Sequence, residues 1–177
     1  MTPLIVNIVL FQAGWFASVL GAARGLPWIG PAAVLLVVAV RLACSAERER
    51  EIKLIGAATG IGLLAETGMT AAGFYVADSW VLPYPLAPAW LPLMWSNFAT
   101  TLNVSLKPLS GRPVLSALLG AVAGPLAYFG GARLGAIRFS DPSWKGLLAL
   151  GILWAAAVPG LFALSRRYSR DHSFPNR

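Results

Sequence analysis

The 177-residue chain has one cysteine (Cys44), one histidine (His172) and only seven acidic side chains. A single cysteine forbids an intrachain disulfide, and with one histidine beside it no Cys/His zinc cluster can be assembled. A Ser-His-Asp triad would have to recruit His172 from a polar tail. No metal site and no cofactor are therefore expected. Charge is scarce as well, at 12% of residues against roughly a quarter in soluble domains. What the chain has in excess is apolar surface, with 57% hydrophobic residues and a mean hydropathy of +0.68. A soluble domain of this length cannot hide that much. The composition excludes a soluble enzyme, a disordered tail and a secreted disulfide scaffold, and points to an all-α, polytopic membrane protein. A net charge of +7 would suggest nucleic acid in a soluble chain. Here Lys and Arg on loops set membrane orientation and attract anionic headgroups, and no nucleic-acid partner is expected.

A window of roughly 19 residues finds six apolar runs about long enough to cross a 30 Å hydrocarbon layer. They cover residues 3–23, 28–44, 52–76, 89–106, 114–136 and 144–164 of one integral membrane domain, 1–177. Backbone polar groups in lipid must be satisfied within each segment, so these runs are predicted helices, and no stretch shows the alternating polarity of a barrel strand. The first run has no Lys or Arg before Arg24, lacks the basic region of a signal peptide, and is expected to be a retained helix. With six spans the termini share a side. Loop residues Arg41, Arg48, Arg50, Lys53, Lys107 and Arg112, with tail residues Arg166, Arg167, Arg170 and Arg177, gather on that side, against Arg24, Arg133, Arg138 and Lys145 opposite. The positive-inside rule then predicts both termini, and a basic tail over 165–177, in the cytoplasm.

The one long connection, 78–92, carries Pro83, Pro85, Pro88 and Pro92 with Trp80, Tyr84 and Trp90, which suits the outer headgroup layer. The loop 46–53 alternates Glu with Arg and Lys and reads as a solvated helical turn.

Polar residues inside spans are costly, so their helical placement is informative. In the fourth run Trp95, Phe98, Ala99, Leu102 and Leu106 form an apolar stripe at i, i+3, i+4, i+7 spacing. The rest of the helix carries Ser96, Asn97, Thr100, Thr101, Asn103, Ser105 and Lys107, a face that must meet other helices or a wet cavity. In the third run Thr59, Gly62, Glu66, Thr70 and Gly73 share a stripe, with Glu66 near mid-span. An intramembrane carboxyl is a functional candidate by default, so Glu66 is the candidate acid or base. The first run aligns Asn7, Phe11, Gly14, Ser18 and Gly21, flanked by Gln12 and Trp15. The fifth places Ala117, Gly120, Gly124, Ala127, Gly131 and Gly135 on a small-residue ridge, kinked at Pro125. Arg133 either snorkels to headgroups or, if Gly130 and Gly131 break the helix, turns inward toward Glu66.

Asn7 with Gln12 and Trp15, the segment 95–106 (Trp-Ser-Asn-Phe-Ala-Thr-Thr-Leu-Asn-Val-Ser-Leu) and the segment 120–136 (Gly-Ala-Val-Ala-Gly-Pro-Leu-Ala-Tyr-Phe-Gly-Gly-Ala-Arg-Leu-Gly-Ala) together resemble a family of small bacterial inner-membrane proteins catalogued as a domain of unknown function. The resemblance implies a multi-pass protein of that membrane with a compact helical fold, and carries no catalytic assignment. Two functional expectations follow from the residues. The first is a non-catalytic bundle that binds a membrane lipid, another membrane protein or a second copy of itself. The second is an intramembrane enzyme on an acyl or isoprenoid lipid, with Glu66 as acid or base and Asn7, Gln12, Asn97, Thr100, Asn103, Tyr128 and Arg133 as substrate-binding candidates. A small proton-coupled transporter using Glu66 is disfavoured, since no pair of broken helices occurs in corresponding halves.

Overall fold

The computed structural model describes residues 3–77 and 86–170. The aromatic connection around Trp80, Pro83, Tyr84 and Pro85, and the tail with His172 and Arg177, lie outside the described residues. Six α-helices carry the fold: α1 (Pro3–Ala23), α2 (Ile29–Ala43), α3 (Arg48–Ala71), α4 (Trp90–Leu102), α5 (Pro113–Arg133) and α6 (Ser143–Arg170). Four of them, α1, α3, α5 and α6, are long and apolar enough to cross a membrane. The expected second and fourth spans are shorter, at 15 and 13 residues. At 1.5 Å per residue they reach only about 22 and 20 Å.

The third expected span, 52–76, shifts toward the N-terminus. Its helix starts at Arg48 and stops at Ala71, because Gly73 takes φ +72°. Gly73 N–H then bonds Thr70 O (3.0 Å) and Phe74 N–H bonds Met69 O (3.1 Å), the paired bonds that close a helix on a left-handed glycine. Beyond this stop, β1 (Tyr75–Val76) pairs antiparallel with β2 (Arg138–Phe139), a short ribbon the helical reading did not contain. Glu66 is thus five residues from the end of α3, rather than at mid-span.

Cross-helix contacts fix the direction of each helix. Asn7 on α1 meets Thr100 on α4, while Phe11 meets Asn97. Thr59 on α3 meets Ser96, and Glu66 meets Trp95. Successive helices therefore alternate in direction, and the starts of α1 and α3 lie at the same end of the bundle as the end of α6. The short α4 occupies the centre. Ten of its 13 residues are buried, so its polar groups meet protein on nearly every side and no separate polar wall is exposed. The surrounding helices turn Leu35, Leu64, Leu118, Val122, Leu126 and Ile152 outward. In water such a surface would be an aggregation liability; against lipid chains it is the ordinary exterior of a spanning bundle.

Candidate functional site

Residues brought together from three other places in the chain surround the Glu66 carboxyl. Trp95 donates its indole N–H to Glu66 Oε1 at 2.7 Å. The Tyr128 hydroxyl donates to the same oxygen, and the Tyr75 hydroxyl donates to Oε2. Glu66 itself is fully buried. Stripping water from a carboxyl is expensive unless donors replace it, and here three do so.

The sequence makes room for each donor. Gly62 sits one helical turn before Glu66, and any Cβ there would overlap the Trp95 ring. Trp95 then stacks on Trp154 of α6, with centroids 4.6 Å apart and planes at 24°, while Phe98 packs its edge on the same indole at 5.2 Å. Gly124 and Gly120 of α5 do for Trp154 what Gly62 does for Trp95. Tyr75 reaches Glu66 because α3 has already ended. The β1–β2 ribbon holds Tyr75 opposite Phe139, whose ring meets it edge-on at 6.3 Å.

Tyr128 has a second neighbourhood. It lines a cleft of about 650 Å³ between α1, α4, α5 and α6, within the range of small-molecule and lipid-chain sites. Its wall is mainly apolar, with Ile8, Phe11, Trp15, Val19, Met94, Phe98, Leu119 and Leu126 among the residues that form it. The side chains of Trp15 and Val19 on α1 reach toward Gly130 and Gly131 of α5. Away from that contact they form facing walls, with Ile8 and Gln12 on one and Leu119 and Ala123 on the other. Glu66 is not among the lining residues; Tyr128 stands between it and the cleft.

A separate polar cluster occupies the opposite end of the bundle. Glu51, only 2% exposed, accepts from Arg41 on α2 and from Asn103 at 3.0 Å. Arg50 donates to Asn103 Oδ1 and to Ser165 Oγ, each at 3.1 Å, and Ser165 donates to Asn103 Oδ1 at 2.7 Å. Four helices meet in these bonds. The run 46–53 is consequently more than the solvated turn its mixed charge implies. Arg48, Glu49 and Lys53 are exposed, whereas the side chain of Glu51 points inward to the core stripe of Leu54, Ile55 and Ala58.

The residues singled out from the sequence divide among several surroundings. Glu66 and Tyr128 meet directly, and Asn7, Thr100 and Asn97 form a second group linked through backbone carbonyls. Asn7 is buried and donates to Thr100 O (3.1 Å), while its Oδ1 accepts from Ser105 Oγ (2.7 Å), tying α1 to the end of α4. Asn97 is fully buried and donates to Phe11 O at 2.9 Å, with Gly14 leaving space for its amide. Thr100 donates back to Asn97 O at 2.6 Å. Gln12 is exposed on the cleft wall. Asn103 belongs to the Glu51 cluster, 15 residues along α3 from Glu66, or about 22 Å. Arg133 is exposed at the end of α5, because the helix runs unbroken through Pro125, Gly130 and Gly131 and holds its side chain outward. Tyr75, Trp95, Glu51, Arg41 and Ser165 were not singled out. The signal for Tyr75 was Gly73, a helix-stopping glycine directly after an apolar run.

Compared with known proteins, residues 4–160 match a family described as Protein of unknown function (DUF2878). No curated protein and no solved structure matches the chain.

Proposed function

The chain belongs to that family of unknown function, and on this premise we propose that it is a lipid-binding component of a bacterial inner membrane, holding a lipid chain in the cleft between α1 and α5. In this reading all six helices lie in the bilayer, with both termini and the Glu51 cluster on the cytoplasmic side. The observation that carries it is the cleft, an apolar trough of about 650 Å³ walled by two helices that are themselves long and apolar enough to span. Its surroundings are then lipid chains, and its few polar groups, Gln12 and the Tyr128 hydroxyl among them, are of the kind that orient one. The basic end carries Arg41, Arg48, Arg50, Lys53, Lys107, Arg112, Arg166 and Arg167, which supports the orientation.

An enzymatic reading with Glu66 as acid or base is less well supported. Both of its oxygens are engaged, it has no exposed surface, and it does not line the cleft. A proton-coupled transporter built on Glu66 meets the same objection. The test is native mass spectrometry of the protein released from mild detergent. Wild-type protein is expected to retain about one lipid per chain, and Ala123→Trp, which fills the trough from α5, is expected to lose it while remaining folded. Wild-type protein free of lipid would refute the proposal.

A further inference from the structure

Gln12 is the chain's single glutamine, and it stands at mid-span on α1, a helix of 21 residues that begins at Pro3. At 1.5 Å per residue, roughly 13 Å of helix separate it from the nearer end, too far for its side chain to reach the headgroups. It is exposed, and among the described residues no group bonds its amide. The asparagines of the bundle are treated differently, since Asn7, Asn97 and Asn103 are each bonded across helices. In water an exposed amide is ordinary. Against hydrocarbon it costs free energy until something supplies a donor and an acceptor.

A seam of apolar residues runs through the same position. Ile5, Val9, Gln12 and Phe16 follow one another at spacings of four, three and four, and lie within about 60° of one another on a helix of 3.6 residues per turn. The three apolar members are each about half exposed. Their stripe lies nearly opposite Asn7, Gly14, Ser18 and Gly21, the side of α1 that is buried in the bundle. Apolar residues alternating at three and four, with one amide among them, are the pattern by which paired helices fix their partner and register. We propose that this face of α1 is the interface of a parallel homodimer, in which Gln12 bonds the partner's Gln12. The amide is what selects a second copy as the occupant. A primary amide both donates and accepts, so two of them satisfy each other, whereas a lipid chain offers neither group. Chains inserted in one orientation also carry Gln12 at one depth, and a two-fold axis along the bilayer normal brings the same residue face to face. The pairing takes one N–H and one lone pair from each amide, and leaves the second N–H at the rim of the cleft that Gln12 lines.

The inference rests on α1 crossing the bilayer and not on what fills the cleft, so dimerisation and lipid retention are read separately. The full chain, labelled at Cys44 with a donor or an acceptor fluorophore, is reconstituted into phosphatidylethanolamine–phosphatidylglycerol vesicles, and energy transfer is followed as added lipid dilutes the protein. Wild-type protein is expected to follow a monomer–dimer curve. Gln12→Leu is expected to weaken dimerisation roughly five- to thirtyfold, the worth of two interhelical hydrogen bonds, with thermal unfolding and lipid retention unchanged. In a Cys44→Ser background, Val9→Cys and Phe16→Cys are expected to form interchain disulfides on oxidation, while Leu64→Cys, exposed on α3, is not. Wild-type transfer no greater than chance proximity would overturn the dimer. A Gln12→Leu dimer as tight as wild type would overturn the amide pair. Wild-type monomers whose Gln12→Leu variant sheds its lipid would overturn both and give Gln12 to the occupant of the cleft.

Discussion

Glu66 accepts from three donors, Trp95, Tyr75 and Tyr128. Its replacement is therefore a test of the whole cluster. In Glu66→Leu, the Trp95 N–H and the Tyr75 and Tyr128 hydroxyls are left buried and unpaired, each at about 1–3 kcal/mol. The expected loss of stability is at least about 3 kcal/mol, read from denaturant unfolding in detergent by tryptophan fluorescence. Glu66→Gln keeps an acceptor for Trp95 and Tyr128, and its amide N–H₂ can donate to the Tyr75 hydroxyl, which is free to turn. That variant is expected to lose about 1 kcal/mol; equal losses in the two variants would mean that the hydrogen bonds are not what holds the site. The residue types of this site were partly legible. A lone carboxyl in an apolar helix and a tyrosine on a facing glycine ridge both stand out, but Trp95 reads as one more member of an apolar stripe. Only its single N–H is polar, and hydropathy averages that atom away.

At the scale of elements, the glycines act as seats for tryptophans. A Cβ at Gly124 would overlap the Trp154 ring, and one at Gly120 would meet the Trp154 carbonyl oxygen. Gly124→Ala is expected to destabilise by about 1–3 kcal/mol through overpacking. Gly60→Ala, where nothing lies within 4 Å, is expected to be neutral or to gain up to about 1 kcal/mol from helix propensity. Thermal unfolding of the two variants in one detergent decides the matter, and similar midpoints would refute the seating argument. The small-residue ridge of α5 was readable as a close-contact face, but its partner was not, because one residue whose ring meets Gly124 and whose carbonyl meets Gly120 leaves no periodic trace on α6. The start of α3 teaches the complementary point. Alternating charge suggests a solvated turn, yet Glu51, Leu54, Ile55, Ala58, Gly62, Glu66 and Met69 share one buried stripe. Helical spacing had placed Glu51 inside, and the sign pattern obscured it. Glu51→Ala strands Arg41 and Asn103 and is expected to cost about 3–5 kcal/mol. Lys53→Ala, which breaks the exposed pair with Glu49, should change stability by less than about 1 kcal/mol.

For the molecule as a whole, composition made the membrane class legible, since 57% hydrophobic residues with 12% charged leave few alternatives. The number of crossings was harder to read. A helix that contacts lipid along its length needs about 20 residues, whereas α4, enclosed by its neighbours, can end inside the bundle with Asn7 and Ser105 bonding near its last turn. Burial relaxes the length rule, so a window tuned to span length overruns the true ends of such a helix. Charge remains the guide to orientation, and the chain supplies its own reporter. Cys44, the single cysteine, is exposed at the end of α2, beside Arg41 and ahead of Arg48 and Arg50. If the basic end faces the cytoplasm, a membrane-impermeant maleimide should leave Cys44 unmodified in intact spheroplasts and label it in inverted membrane vesicles. A cysteine introduced at Ala72, exposed at the opposite end of α3, should show the reverse pattern. The two sites are joined by one helix, so they cannot share a side if α3 crosses the bilayer. Labelling of Cys44 from outside would invert the orientation, and labelling of both from one side would remove the crossing itself.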